Sequence, residues 1–368
     1  MNQYSMSAFH GKIEEIPGIH VDNFENASVT KPRAFFLSHC HSDHIQGLHS
    51  NMLLNYLLNN NIFIYTSELS AAIINDEKKD ERIMNFVKVL KLGATLITIP
   101  QRDQEVEELV TVTLIPAAHS AGSVMFLFQT VSTTVLYTGD FRMNTSDIHR
   151  YAALNSDGPI KIDSMYVDTT FIDLKYENFP KRSYSIEKMI AEIAKWLSRG
   201  GVALHTSAKY GYEFVFNEIY RSLAMKVYVN EERWRFYRTI PHLVPGVTND
   251  KNETKIHLCT KRNENDHTKC IPTTYHQFLY VHLSAMKWIY CDDFDSVERV
   301  KPRRLDVCFA THCSRSELLA FVDYFSPKKV VGFPNPFVVK RGIKRKAENK
   351  GEKLNKILSA SMLKDIFG

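Results

Sequence analysis

Three histidines and an aspartate fall within six residues. They are His39, His41, Asp43 and His44, an H-x-H-x-D-H run that directly follows the apolar stretch Ala34, Phe35, Phe36 and Leu37. Left unpaired in a core, each neutral polar group would cost roughly 2–7 kcal/mol. A bound cation removes that cost. Neutral imidazoles with a carboxylate suit zinc, and the carboxylate also suits manganese or magnesium. Along an extended segment alternate side chains share a side, so His39, His41 and Asp43 face one way. His44 must point elsewhere, which implies two neighbouring metal positions. A surface loop that is merely rich in histidine would not need this count and spacing at a strand end.

Other ligand-type residues stand at the ends of other strand-like runs. Residues 112–118 end at His119, 135–139 at Asp140, 165–167 at Asp168 and 306–311 at His312. Any one of these fits a satisfied turn; all of them together point to a sheet edge that holds a metal constellation rigidly. Asp22, among the apolar residues 19–24, is placed to orient a metal-bound histidine. Strand composition also marks 61–66, 95–99, 110–115 and 124–129, short, β-branched and aromatic. Residues 51–61 read as a helix, and Ser67 as the cap of another. From about Phe171 the texture changes. Ile186, Met189, Ile190, Ile193 and Leu197 form one stripe of an amphipathic helix over 185–199, which Gly200 and Gly201 stop. A strand at 202–204, a helix at 213–225 and a strand at 227–229 follow, the rhythm of a parallel α/β unit. A helix at 315–325 and a strand at 329–333 close the chain's folded part.

A chain of 368 residues exceeds what one hydrophobic core usually serves. No apolar run reaches the roughly 18–20 residues that span a bilayer, and the polar start shows no secretory signal. Six scattered cysteines do not make a disulfide framework and fit a reducing compartment. The net charge of +5 is concentrated at 340–353, where seven Lys/Arg meet two Glu; the rest of the chain is neutral. A basic tail reads as a nuclear-import signal or a polyanion-binding arm, or as a solvated terminus.

Taken together, His39 to His44, His119 and Thr138-Gly139-Asp140 resemble the metallo-β-lactamase signature. Asp168 followed by a long insertion and the late His312 resembles its β-CASP branch, and the stretches 122–128, 135–142, 166–171 and 210–214 are most similar to the DNA cross-link-repair nuclease group. The resemblance runs from about residue 8 to 340. It implies an α/β fold, a metallo-β-lactamase αββα sandwich with an inserted β-CASP α/β cap. The sandwich would take 1–172 and 305–339, the cap 173–304, with a basic tail at 340–368. By motif position His39, His41, Asp43, His44, His119 and Asp140 would be metal ligands, Asp140 bridging, and Asp22, Asp168 and His312 would serve catalysis. The implied cofactor is one or two divalent ions, zinc first, with magnesium or manganese as alternatives.

The same resemblance implies a structural zinc in the cap. His257, Cys259 and Cys270 match three of its ligands, the fourth position is Tyr228, and His267 stands close enough to substitute. At the family's phosphate-binding positions this chain has Ser207 and Ala310, with Lys209 and Thr311 adjacent. Lys209, Lys287, Arg142 and Arg182 are the candidate positive contacts to DNA, with Tyr210 and Tyr212 either packing on the following helix or stacking on splayed bases. RNA-cleaving members usually carry a further histidine where this chain reads 330–337, which has none; this favours DNA. The expectation is a nuclear, metal-dependent DNA nuclease. It would be a 5′ exonuclease or a structure-selective endonuclease acting on hairpins and overhangs in double-strand-break repair by end joining. A DNA-dependent protein kinase or other end-joining factors are its expected partners. The rivals are a β-CASP RNA endonuclease, a small-molecule hydrolase, which would need no cap of this size, and a catalytically silent DNA-binding scaffold.

Overall fold

The computed structural model describes residues 9–77, 81–101, 106–259, 270, 277–291 and 296–338. The chain opens with β1 (Ile19–Val21), α1 (Ala27–Thr30), β2 (Ala34–Leu37), α2 (Asn51–Asn60), β3 (Ile64–Ser67), α3 (Glu68–Glu77) and β4 (Val87–Leu90). These four short strands form one parallel sheet in chain order. Next come β5 (Gly93–Ile99), β6 (Glu108–Pro116), β7 (Val124–Gln129), β8 (Thr134–Tyr137) and β9 (Ser164–Asp168). β5 to β8 are an antiparallel meander, and β9 joins β8 in parallel.

Residue alternation explains the layers. Along β7, Val124, Phe126 and Phe128 face the first sheet, packing with Val21, Ala34 and Phe36 in a core between the sheets. Met125 and Leu127 face the other way. They are covered by the last helix (Arg315–Phe325) through Leu318, Phe321 and Phe325. Phe35 and Leu37 of β2 point to the outer face of the first sheet, beneath Leu53, Leu57 and Ile73 of α2 and α3. The order is helix, sheet, sheet, helix.

A second α/β unit follows: α4 (Arg182–Trp196), β10 (Gly201–Thr206), α5 (Glu213–Leu223), β11 (Val227–Tyr228), α6 (Glu231–Tyr237), β12 (Val247–Thr248), β13 (Ile256–Leu258), β14 (Phe278–Ser284), β15 (Val297–Lys301) and β16 (Arg304–Cys308). Its seven-stranded sheet runs β12-β11-β13-β10-β14-β16-β15, parallel except for β15. This sheet is the cap. The expected return to the sandwich at residue 305 comes one strand early, because β16 pairs with β14 inside the cap sheet. Only α7 (Arg315–Phe325) and β17 (Lys329–Phe333) return, β17 lying parallel to β9 at the sheet edge. α7 is begun by a capping box in which Ser314 accepts from the Glu317 amide and Glu317 accepts from the Ser314 amide. The basic stretch 340–353 lies outside the described residues.

Candidate metal centre

Five strand ends bring the donors together. β2 stops at Leu37, and the segment after it carries His39, His41, Asp43 and His44 over the end of the sheet. β6 delivers His119 two residues past Ala117, with Ala118 in the left-handed region at φ 54°. β8 ends before Gly139, at φ 51°; a Cβ there would stand 2.7 Å from Ser38 Oγ, so only glycine lets Asp140 follow so closely. β9 ends on Asp168 itself, and the turn after β16 carries His312.

The first cluster joins His39, His41, His119 and Asp140, whose ligand atoms all lie within 4.8 Å of one another. His41 Nδ1 stands 3.2 Å from His39 Nε2 and 2.9 Å from His119 Nε2. Asp140 Oδ2 is 3.6 Å from His39 Nε2 and 3.5 Å from His119 Nε2. The outer nitrogens fix the tautomers. His41 Nε2 donates to the Tyr210 carbonyl at 3.2 Å and His119 Nδ1 to the Thr311 carbonyl at 3.1 Å. Carbonyls only accept, so those nitrogens carry the protons and the inner ones carry lone pairs. His39 Nδ1 reaches Ser38 Oγ at 3.0 Å, and that hydroxyl is itself committed as a donor to Asp22. Three lone pairs therefore converge on one point, an arrangement that is repulsive unless a cation occupies it. Burial, then the neighbouring imidazoles, hold His39 and His119 well below the usual histidine range; burial also lowers His41. The site resists protons and fits a metal ion.

The second cluster leans on the other oxygen of Asp140. His44 Nε2 is 3.3 Å from Asp140 Oδ1 and 3.7 Å from Asp43 Oδ2. Burial lowers His44, but the Asp140 and Asp22 carboxylates outweigh it and raise the imidazole well above its ordinary value. Positive charge is drawn to this point, whether from a proton or a divalent ion. Asp140, Asp168 and His312 form a further group within 4.8 Å. His312 Nδ1 stands 2.7 Å from Asp168 Oδ2. Burial opposes the charged form of His312, yet Asp168 and Asp140 raise it to about 9. Burial pushes Asp168 up, and the His312 charge together with hydrogen bonds from His312 and Thr170 outweighs it and holds the carboxyl below its ordinary value.

Asp22 is a positioning residue. Its carboxylate takes the Ser38 amide at 2.7 Å, the Ser38 hydroxyl at 2.5 Å, His44 Nδ1 at 2.9 Å and the Tyr137 hydroxyl at 2.9 Å. It thus aims His44 as the sequence suggested, and braces the His39 partner as well. Ser38, Tyr137, Thr170, which donates to Asp168 at 2.6 Å, and the carbonyls of Tyr210 and Thr311 escaped sequence reasoning. Ser38, next to His39, was the one with a local signal.

The centre opens into a cavity of about 550 Å³ lined by His41, Asp43, His119, Asp140, His312 and Lys209, among others. Lys209 is the one Lys or Arg lining it among the described residues, paired with Glu232 at 3.0 Å and Glu77 at 3.8 Å. The other residues expected to contact DNA are engaged within the protein. Tyr210 and Tyr212 are buried, packed on Phe236 and Phe309, so they offer no open ring face for stacking. Lys287 pairs with Asp306 and, at 3.0 Å, with Glu298, and lines a different cavity. Arg142 is buried, bonded to Glu317 and the carbonyls of Ala310 and Pro180. Arg182 is half-buried and donates to the carbonyls of Ala118 and Arg142. These arginines tie elements together.

In the cap, His257, Cys259 and Cys270 come together, buried, with ligand atoms within 4.8 Å. Both His257 ring nitrogens are without a hydrogen-bond partner among the described residues. Tyr228 pairs with His257 across β11 and β13. His267 lies outside the described residues.

The sandwich, the cap and this donor set define a protein of the metallo-β-lactamase type with a β-CASP-like cap and a metallo-hydrolase metal centre. A family model described as DNA repair metallo-beta-lactamase matches residues 241–336. The chain is related to the Artemis proteins. It is 32% identical to protein artemis of Rattus norvegicus over 348 residues and to that of Homo sapiens over 349, in each case 90% of this chain and 49% of the relative. It is 25% identical over 336 residues to the DNA cross-link repair 1A protein of Gallus gallus, covering 86% of this chain and 32% of that protein. The chain thus spans about half the length of the Artemis proteins it matches.

Proposed function

We propose that this protein is a metal-dependent DNA nuclease that trims 5′ ends or opens hairpins and overhangs during double-strand-break repair by end joining, in the nucleus. The observation that carries the reading is the convergence of three imidazole lone pairs and both Asp140 oxygens on adjoining points. His39, His41 and His119 would hold one ion, Asp43 and His44 the other, with Asp140 between them. Bound there, two divalent ions would acidify an attacking water and neutralise charge gathering on the phosphoryl oxygens.

The protein's own groups do the rest. Asp22 keeps His44 turned inward, and the Tyr210 and Thr311 carbonyls keep His41 and His119 in the metal-binding tautomer. His312, backed by Asp168, supplies a hydrogen bond to a phosphoryl oxygen or the proton for the leaving 3′-oxygen. Lys209 offers the cavity's sequence-independent phosphate contact. His257, Cys259 and Cys270 would hold a structural zinc in the cap, where thiolate and imidazole suit that ion.

The test is cleavage of 5′-phosphorylated single strands, hairpins and overhangs, with matched RNA, with and without chelator. DNA cutting that chelator stops and Asp140→Ala abolishes is expected. Preference for RNA would overturn the substrate assignment, and cutting by Asp140→Ala at the wild-type rate would overturn the mechanism.

A further inference from the structure

We propose that Glu213 is a positioning residue of the metal centre, acting on His41 through the single peptide unit that joins Tyr210 to Gly211. The proposal rests on the metal-centre reading above. The carbonyl of that unit accepts from His41 Nε2 at 3.2 Å. The N–H of the same unit, on Gly211, donates to the two carboxylate oxygens of Glu213 at 2.9 and 3.2 Å. One amide plane is held from both edges, by a metal-ligand imidazole on one side and a buried carboxylate on the other.

A carboxylate at an amide N–H polarises that amide and strengthens its carbonyl as an acceptor. The His41 proton is then held more firmly on Nε2. Nδ1, which faces His39 and His119, becomes the better donor to a cation. The rest of the turn is built for this. Gly211 has φ 105°, and a Cβ there would lie 3.1 Å from the His119 carbonyl, so glycine alone lets the cap loop approach a second ligand's backbone. Tyr237, itself buried, donates its hydroxyl to Glu213 at 2.9 Å and pins the carboxylate. Arg233 donates to the Lys209 carbonyl at the start of the same turn. Glu213 opens α5, where a carboxylate also favours the helix N-terminus. That role needs no burial and no aim at Gly211, and Glu213 has both.

The test is cobalt(II) affinity of the full chain, followed by absorption. The thiolate charge-transfer band separates binding at Cys259 and Cys270 from binding at the imidazole site. Glu213→Gln keeps the volume and removes the charge. It is expected to weaken thiolate-free cobalt binding about ten-fold or more, the usual effect of losing such a partner, while the metal-free protein melts as the wild type does. Unchanged affinity overturns the proposal. If Glu213→Gln melts earlier, Tyr237→Phe decides. Weaker cobalt binding at wild-type stability supports the relay, and wild-type binding overturns it. A wild-type chain with no thiolate-free cobalt binding would fail at an earlier step, removing the metal centre itself.

Discussion

The buried carboxylate of Asp22 shows how a residue that touches no reacting atom can govern the site. One of its oxygens gathers the Ser38 hydroxyl, the Tyr137 hydroxyl and His44 Nδ1. Asp22→Asn would replace one acceptor oxygen by an NH2 group, which must oppose either the Ser38 amide or the three donors on the other side, and would remove the charge facing His44. Metal affinity at the His44 position should fall about 10–100-fold, read by competition with a chelator; unchanged affinity would show that His44 needs no such brace. His312 makes a different prediction. It lines the cavity and leans on Asp168, so His312→Asn should keep metal content and slow cleavage about 10²–10⁴-fold. Loss of metal in that variant would make His312 a ligand instead of a proton donor. The residues that converge on the centre were legible because their chemistry is rare and they stand at strand ends: His39 to His44 in one run, then His119, Asp140, Asp168 and His312 singly. The groups that orient them were not. The Tyr210 and Thr311 carbonyls are backbone, which every residue carries, so nothing in the sequence distinguishes them. For Tyr210 and Tyr212 the sequence left packing and stacking both open, because an aromatic near a lysine fits core or surface until the fold buries it.

Between elements, Arg142 does the tying. Its guanidinium joins the segment after β8 to Glu317 on α7 and to the carbonyls of Ala310 and Pro180 on either side of the cap. Arg142→Ala would leave the largely buried Glu317 without its ion-pair partner and should destabilise the protein by about 3–5 kcal/mol, measured by urea unfolding. A cost under about 1 kcal/mol would mean that the pair behaves as an exposed one. The meander from β5 to β8 was readable because its strands are β-branched, alternate and end at polar turns. β4 and β14 were not. Val87–Leu90 is short, with a lysine at its second position. Phe278–Ser284 has strand composition but no Gly, Pro, Asn or Asp at either end to bound it. The boundary at 304 misplaced β16 for a related reason. A strand followed by a histidine looks the same whether it belongs to the sandwich or the cap, and only its hydrogen bonds to β14 decide.

At the scale of the whole molecule, charge and metal are separable levers. The basic run 340–353 holds the chain's entire net charge. Replacing its seven Lys/Arg by Gln should weaken DNA binding and flatten its salt dependence, while the rate at saturating DNA is unchanged; an unaltered salt slope would rule the run out as a polyanion contact. The centre, by contrast, is assembled from both halves of the fold, since its first cluster has donors from the sandwich and two orienting carbonyls from loops that follow cap strands. Nuclease action at this site requires a divalent ion lying where those donors converge. Anomalous scattering at the zinc edge, from crystals of the full chain grown with zinc, addresses that directly. The account predicts a peak about 2.0–2.2 Å from His39 Nε2, His41 Nδ1, His119 Nε2 and an Asp140 oxygen. Crystals in which those four atoms surround no anomalous peak, with zinc bound elsewhere, would contradict it.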